Sequence, residues 1–232
     1  MESSVEYYCV NYKDDVRKQK MTNRWETLGL KLNFVEPVHK SDNRLNVPEL
    51  EKSDKRTWSI MLQHLDSIRH FVEQTTSEYC VVCEDDIMVC KYLKIDIQDA
   101  IQAYERLKLN VLLLGYLLPY DITNNYHFPV FESNYKYKYC DYPCDLWGSQ
   151  MYLIDRNHAV HLLQKYTIEE SIQMMGRNEP YSPDWTLTKY GKKAIMYPMI
   201  AIEEGDTKCN LESEMNYHQQ CFQMNYVPRI FM

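Results

Sequence analysis

The chain has 232 residues, with 26 Lys and Arg against 33 Asp and Glu and a formal charge of −7. That length fits one medium-sized domain, taken as 1–232 with a C-terminal tail from about 206. The 45% hydrophobic content supports an ordinary core, but no apolar run approaches the ~20 residues of a membrane-spanning helix, and the acidic balance argues against nucleic acid as the main partner.

Met1 to Tyr8 lacks the basic start and apolar stretch of a secretory signal, so a cytoplasmic setting is expected. The eight cysteines then read as reduced thiols. Only six glycines occur, no two closer than fourteen positions. That spacing excludes the dinucleotide fingerprint and the Walker A loop. Neither H-E-x-x-H nor G-x-S-x-G is present, which removes the zinc-peptidase and hydrolase-elbow readings.

In chain order, Val5 to Val10 is a β-rich run, and Asp14 with Asp15 starts a helix that ends at Gly29. Leu32 to Val35 is a second short strand. Trp58, Met61, Leu62, Leu65, Ile68 and Val72 recur at spacings of three and four, the pattern of an amphipathic helix. Tyr79 to Cys83 reads as a buried strand leading into Glu84, Asp85 and Asp86; a helix through Ile97, Ala100, Ile101 and Tyr104 and a strand at Val111 to Leu114 follow. The βαβα alternation predicts an α/β fold with a mostly parallel, twisted sheet and helices on both faces.

Tyr116 to Tyr142 breaks the pattern with tyrosines, prolines and the polar turn Asn124, Asn125, and reads as a long functional loop. A strand at Gln150 to Ile154 then runs into a helix capped by Asp155. Ser182, Pro183 and Asp184 form a helix start before Trp185 to Tyr190. Ala194 to Ile202 is a last apolar run, ending in Glu203 and Glu204.

In an open parallel sheet the ligand crevice lies beyond the carboxyl ends of the strands, where Glu84, Asp85 and Asp86 belong. Three adjacent carboxylates repel one another unless a cation holds them, and hard oxygen ligands suit Mg²⁺ or Mn²⁺, above all when a diphosphate supplies further oxygens. The alternative is an acidic turn with no ligand. Asp184 reads as a general base or as a carboxylate favoured by a helix N-terminus. Glu203 and Glu204 also face the crevice, with nothing in the spacing to separate them. His218 reads as a metal ligand or a solvated side chain. Cys80 and Cys83 point to opposite faces of a strand and read as core thiols.

The order of these pieces resembles glycosyltransferase family 25, the lipopolysaccharide and procollagen galactosyltransferase group, and more closely its homologues in large DNA viruses. The resemblance rests on Cys9-Val10-Asn11-Tyr12, the helix leading into Cys83-Glu84-Asp85-Asp86, the segment Leu146-Trp147-Gly148-Ser149-Gln150-Met151-Tyr152-Leu153-Ile154, and Ser182-Pro183-Asp184-Trp185. It implies a GT-A type fold and inverting, metal-dependent sugar transfer, with Mn²⁺ or Mg²⁺, from a nucleotide-sugar donor, usually a UDP-sugar, to a glycan or protein acceptor. By the same resemblance Glu84, Asp85 and Asp86 are the metal and diphosphate motif. Val10, Asn11 and Tyr12 lie beside the nucleotide, Gly148, Ser149 and Gln150 line the donor or acceptor side of the cleft, and Asp184 and Glu204 are candidates for the acceptor-activating base. If the chain is viral, its setting is the host cytoplasm. One position departs: the family's Ser-His reads Ser59-Ile60 here.

Two other classes fit the residues less closely. An inert carbohydrate-binding or scaffold protein would keep the fold without depending on the acidic cluster. A metal-dependent phosphoester hydrolase also uses carboxylates at a strand end, but Ile87-Met88 does not supply the haloacid-type pattern.

Overall fold

The computed structural model describes residues 3–48, 55–123, 127–177, 179–204 and 212–232. In chain order the elements are β1 (Val5–Val10), α1 (Asp15–Thr27), β2 (Asn33–Phe34), α2 (Lys55–Gln74), β3 (Tyr79–Glu84), β4 (Ile87–Val89), α3 (Leu93–Leu107), β5 (Val111–Gly115), β6 (Val130–Ser133) and β7 (Lys138–Cys140). They continue with β8 (Met151–Asp155), α4 (Arg156–Lys165), α5 (Ile168–Gly176), β9 (Lys193–Tyr197), β10 (Ala201–Glu203) and α6 (Glu212–Asn225).

The strands join one sheet in the order β2-β1-β3-β8-β5-β9-β7-β6, with β10 paired to β4 and β5. β2, β1 and β3 run parallel, as do β5 and β9; β8 runs against β3 and β5, and β7 against β9 and β6. Most strands therefore point one way, and the fold is the mixed α/β arrangement expected from the alternation of apolar runs.

Strand periodicity sets the two faces. Tyr7 meets Trp25 of α1 and Tyr79 meets Tyr104 of α3, whereas Tyr8 bonds His70 of α2 and Tyr152 bonds His64 of α2. Tyr7 pairs in register with Val81, and Tyr8 with Val82, which itself pairs with Tyr152. Helices α1 and α3 thus cover one face and α2 the other, with α4 packed beside α2. Their buried stripes include Trp25, Met61, Ile68, Phe71 and Ile97. Full burial of a side chain of this size is worth about 1.5–3 kcal/mol.

The caps read from sequence are in place. Asp14 accepts from the Arg17 N–H, Asp155 accepts from the His158 N–H, and Gly29 takes the left-handed φ of 66° that ends α1. Three readings change. Ser182-Pro183 opens only a 3₁₀ turn at Pro183–Trp185, because the Thr186 and Thr188 hydroxyls bond back to the carbonyls of Ser182 and Asp184. The run from Ala194 to Ile202 is two strands, divided at the cis Tyr197–Pro198 bond. The tyrosine-rich stretch holds β6 and β7 rather than loop alone. The turn at Asn124 and Asn125 and the start of the tail lie outside the described residues, and the rest of the tail forms α6 against β10.

Candidate functional site

The sheet register brings four chain segments to one rim. Val10 pairs with Glu84, so the ends of β1 and β3 lie side by side and release Asn11, Tyr12, Asp85 and Asp86 together. Because β8 is antiparallel to β3, its first residue, Met151, pairs with Cys83, and the turn at Gly148–Gln150 reaches the same rim. Ile87 pairs with Glu203, which brings the end of β10 there as well. The rim is the carboxyl edge of the parallel strands, where open α/β sheets hold ligands.

A cleft of about 490 Å³ opens at this edge. Val10, Tyr12, Glu84, Asp85 and Asp86 line it, and so do Arg17, Lys40, Arg56, Ser59 and Gln63. Its lining carries both acidic and basic side chains. Arg17 connects the two: its Nη1 donates to Asp85 Oδ1 at 3.0 Å and to Asp86 Oδ2 at 3.3 Å. Asn11 Nδ2 donates to Asp85 Oδ2 at 2.6 Å, and the Asn11 carbonyl accepts from Gln63 Nε2 at 2.8 Å. Asp86 Oδ1 is buried without a hydrogen-bond partner.

These surroundings act on acidity. Burial, then the charge of Glu203, pushes Asp86 up to about 7 despite Arg17. Burial, then the charges of Asp86 and Asp184, holds Glu84 well above the carboxylate range, against a hydrogen bond from the Ser149 hydroxyl. Mutual repulsion of this kind marks a place where an added cation is favoured. The donor set, carboxylate oxygens with one unsatisfied, fits a hard divalent ion. Among the described residues, however, no three His, Cys, Asp or Glu side chains form a preassembled metal shell.

The Gly148–Gln150 turn backs Glu84 rather than lining the cleft. Ser149 Oγ donates to Glu84 Oε1, and the Glu84 N–H donates to the Gln150 carbonyl at 3.1 Å. A Cβ on Gly148 would meet Leu113 Cδ1 at 2.3 Å, so glycine is what lets the turn pass over β5. Asp184 anchors this turn: its Oδ1 accepts from the N–H groups of Gly148 and Ser149 at 2.8 and 2.9 Å.

Glu204 sits apart, paired with Lys20 and Arg24 of α1. Burial works to raise its pKa, but the hydrogen bonds from Lys20 and Arg24 outweigh burial and hold it below the usual carboxylate value. His218 of α6 is buried, and its Nδ1 bonds both carboxylate oxygens of Glu203 at 3.0 and 2.9 Å. That bond raises His218 above the usual histidine value. His218 also faces a second hollow, of about 300 Å³, with Trp147, Ser213, Glu214 and Tyr217.

Lys40, Arg56 and Gln63 carry no motif in the sequence; only α2 and the connection before it bring them to the rim. The pairing of Glu203 with His218 likewise joins two segments that no local pattern links.

No protein-family model matches the chain, and no curated protein does either. Among solved structures, the chain is similar to a glycosyltransferase involved in the glycosylation of the major capsid of PBCV-1, at 11% identity and a TM-score of 0.45 over 92% of this chain and 98% of that one. It is also similar to mannose-1-phosphate geranyltransferase from Thermus thermophilus, at 10% identity and a TM-score of 0.42 over 84% and 73%. Likenesses this remote carry nothing about activity, which has to come from the side chains.

Proposed function

We propose that the chain is a nucleotide-sugar-dependent glycosyltransferase of GT-A type whose donor diphosphate lies in the cleft lined by Asp85, Asp86 and the basic side chains. The observation that carries this reading is the double charge of the cleft. Carboxylates at the end of β3 and the cations Arg17, Lys40 and Arg56 line one cleft of about 490 Å³. A diphosphate with a divalent cation satisfies both charges, the arginines taking phosphate oxygens and the carboxylates taking the cation.

Asp86, with Glu84 or Asp85, would hold Mn²⁺ or Mg²⁺. When bound, the ion neutralises charge that develops on the leaving diphosphate. Val10, Asn11 and Tyr12 flank the nucleotide, with Asn11 fixing Asp85 from below. Gly148, Ser149 and Gln150 hold Glu84 in place.

The acceptor, a hydroxyl of a glycan or protein, enters from the second hollow, where Trp147 and Tyr217 offer ring surface to a sugar face. Asp184 already accepts two backbone N–H bonds and Glu204 two cations, so either must release its partners before it can take a proton. The Glu203–His218 pair needs no such release. The carboxylate orients the imidazole through Nδ1, leaving Nε2 to accept the acceptor's proton. His218 then serves as base rather than metal ligand.

A product assay separates the reading from a phosphoester hydrolase. UDP-sugars incubated with Mn²⁺ and the chain should yield intact nucleoside diphosphate and sugar, whereas release of inorganic phosphate from a phosphomonoester in the same cleft would overturn it.

A further inference from the structure

We propose that Arg17 is an internal rival of the divalent cation: bonded to Asp85 and Asp86, it yields both carboxylates to the ion and passes to the donor diphosphate. The inference rests on the diphosphate reading above.

The hydrogen bonds set up the competition. One nitrogen, Arg17 Nη1, reaches both Asp85 at 3.0 Å and Asp86 at 3.3 Å. Asp85's other oxygen is taken by Asn11, and Asp86 keeps a single buried oxygen without a partner. Within the aspartate pair an entering cation therefore finds one open oxygen, and gaining more of that pair requires the guanidinium to leave. A positive charge this close also opposes a second one directly, most strongly where water is scarce. This accounts for the missing preassembled shell among the described residues.

Arg17 is built to move. It stands in the first turn of α1, its side chain is 31% exposed, and its Nη2 bonds no protein group among the described residues. It lines the same cleft as Lys40 and Arg56, so a short rotation exchanges carboxylates for phosphate oxygens without leaving that cleft. Guanidinium matches phosphate with paired N–H donors, which makes the exchange favourable once the cation has neutralised the aspartates.

The consequence is a change of sign between two binding measurements. Calorimetric titration on the whole chain compares wild type, Arg17→Gln and Lys18→Gln, a control on the same helix whose side chain lies over Phe34. Arg17→Gln should bind Mn²⁺ alone about tenfold more tightly than wild type, because a nearby positive charge is gone. The same variant should bind uridine diphosphate at saturating Mn²⁺ about tenfold more weakly, because a charge-assisted phosphate contact is lost. Lys18→Gln should leave both affinities unchanged, and Arg17→Lys, which keeps the charge on the same helix, should bind Mn²⁺ as wild type does. Unchanged or weaker Mn²⁺ binding by Arg17→Gln, with metal-dependent nucleotide binding intact in wild type, overturns the role of Arg17 alone. Failure of both wild type and Arg17→Gln to bind either Mn²⁺ or uridine diphosphate overturns the diphosphate reading with it.

Discussion

Two carboxylate pairs meet at the same rim, Asp85–Asp86 after β3 and Glu203–Glu204 at the end of β10, and they are neutralised differently. Glu204 pairs with both Lys20 and Arg24, and its pKa is held below the usual carboxylate value. Asp85 and Asp86 share one nitrogen of a partly exposed arginine, and Asp86 is pushed up to about 7. Side-chain type does not separate the pairs; depth of burial and the supply of counter-charge do. The under-neutralised pair borders the cleft, and the ion-paired Glu204 ties α1 to the sheet. A site for a cation and a phosphate needs the first condition, and a fold contact needs the second.

Exchanging these conditions should have large and opposite effects. Arg24→Ala should cost about 3 kcal/mol of stability in chemical denaturation, because it leaves Glu204 and the buried Ile87 carbonyl without their guanidinium partner. Asp184→Ala removes the acceptor of two backbone N–H groups and should cost about 2 kcal/mol, with loosening of the turn that holds Glu84. Hydrogen exchange at Gly148 and Ser149 would report that loosening.

A smaller effect concerns pH. His218 is raised by its hydrogen bond to Glu203, so as a base it becomes neutral only above its elevated value. Transfer should therefore fall on the acid side, and Glu203→Gln should move that acid limb to lower pH. The stability contribution has the matching sign: it is full below the unfolded histidine value and is lost as pH rises through the folded one. The smallest change is expected at Tyr135, which is 97% exposed on the turn between β6 and β7. Tyr135→Ser should alter stability by less than about 0.5 kcal/mol.

The strands and helices that the sequence makes legible are those with a periodic apolar face or a capping residue. Helix α2 declares itself through Trp58 to Val72, and α1 and α4 through Asp14 and Asp155. What sequence patterning misses is short or exposed. β4 is three residues behind an acidic turn, and β6 is largely exposed, so neither shows an alternation. The antiparallel insertion of β8 between β3 and β5 is a matter of long-range pairing that no local signal carries.

The acidic lining of the cleft is legible because three carboxylates follow a buried strand. Lys40 and Arg56 are not, because they come from separate segments and look like ordinary solvated charges until the fold collects them beside Arg17. The same holds for Asp184. Its sequence context suits a base or a helix start, and its geometry supplies an anchor for the Gly148–Ser149 turn.

The most direct test is calorimetric titration of uridine diphosphate, with and without Mn²⁺, into wild type and Asp86→Ala. Binding that requires the metal and weakens at least about tenfold in the variant is the predicted result, since Asp86 carries the open oxygen of the cluster. Absence of binding to wild type with any divalent ion, or binding that Asp86→Ala leaves unchanged, would contradict a metal–diphosphate site at the end of β3.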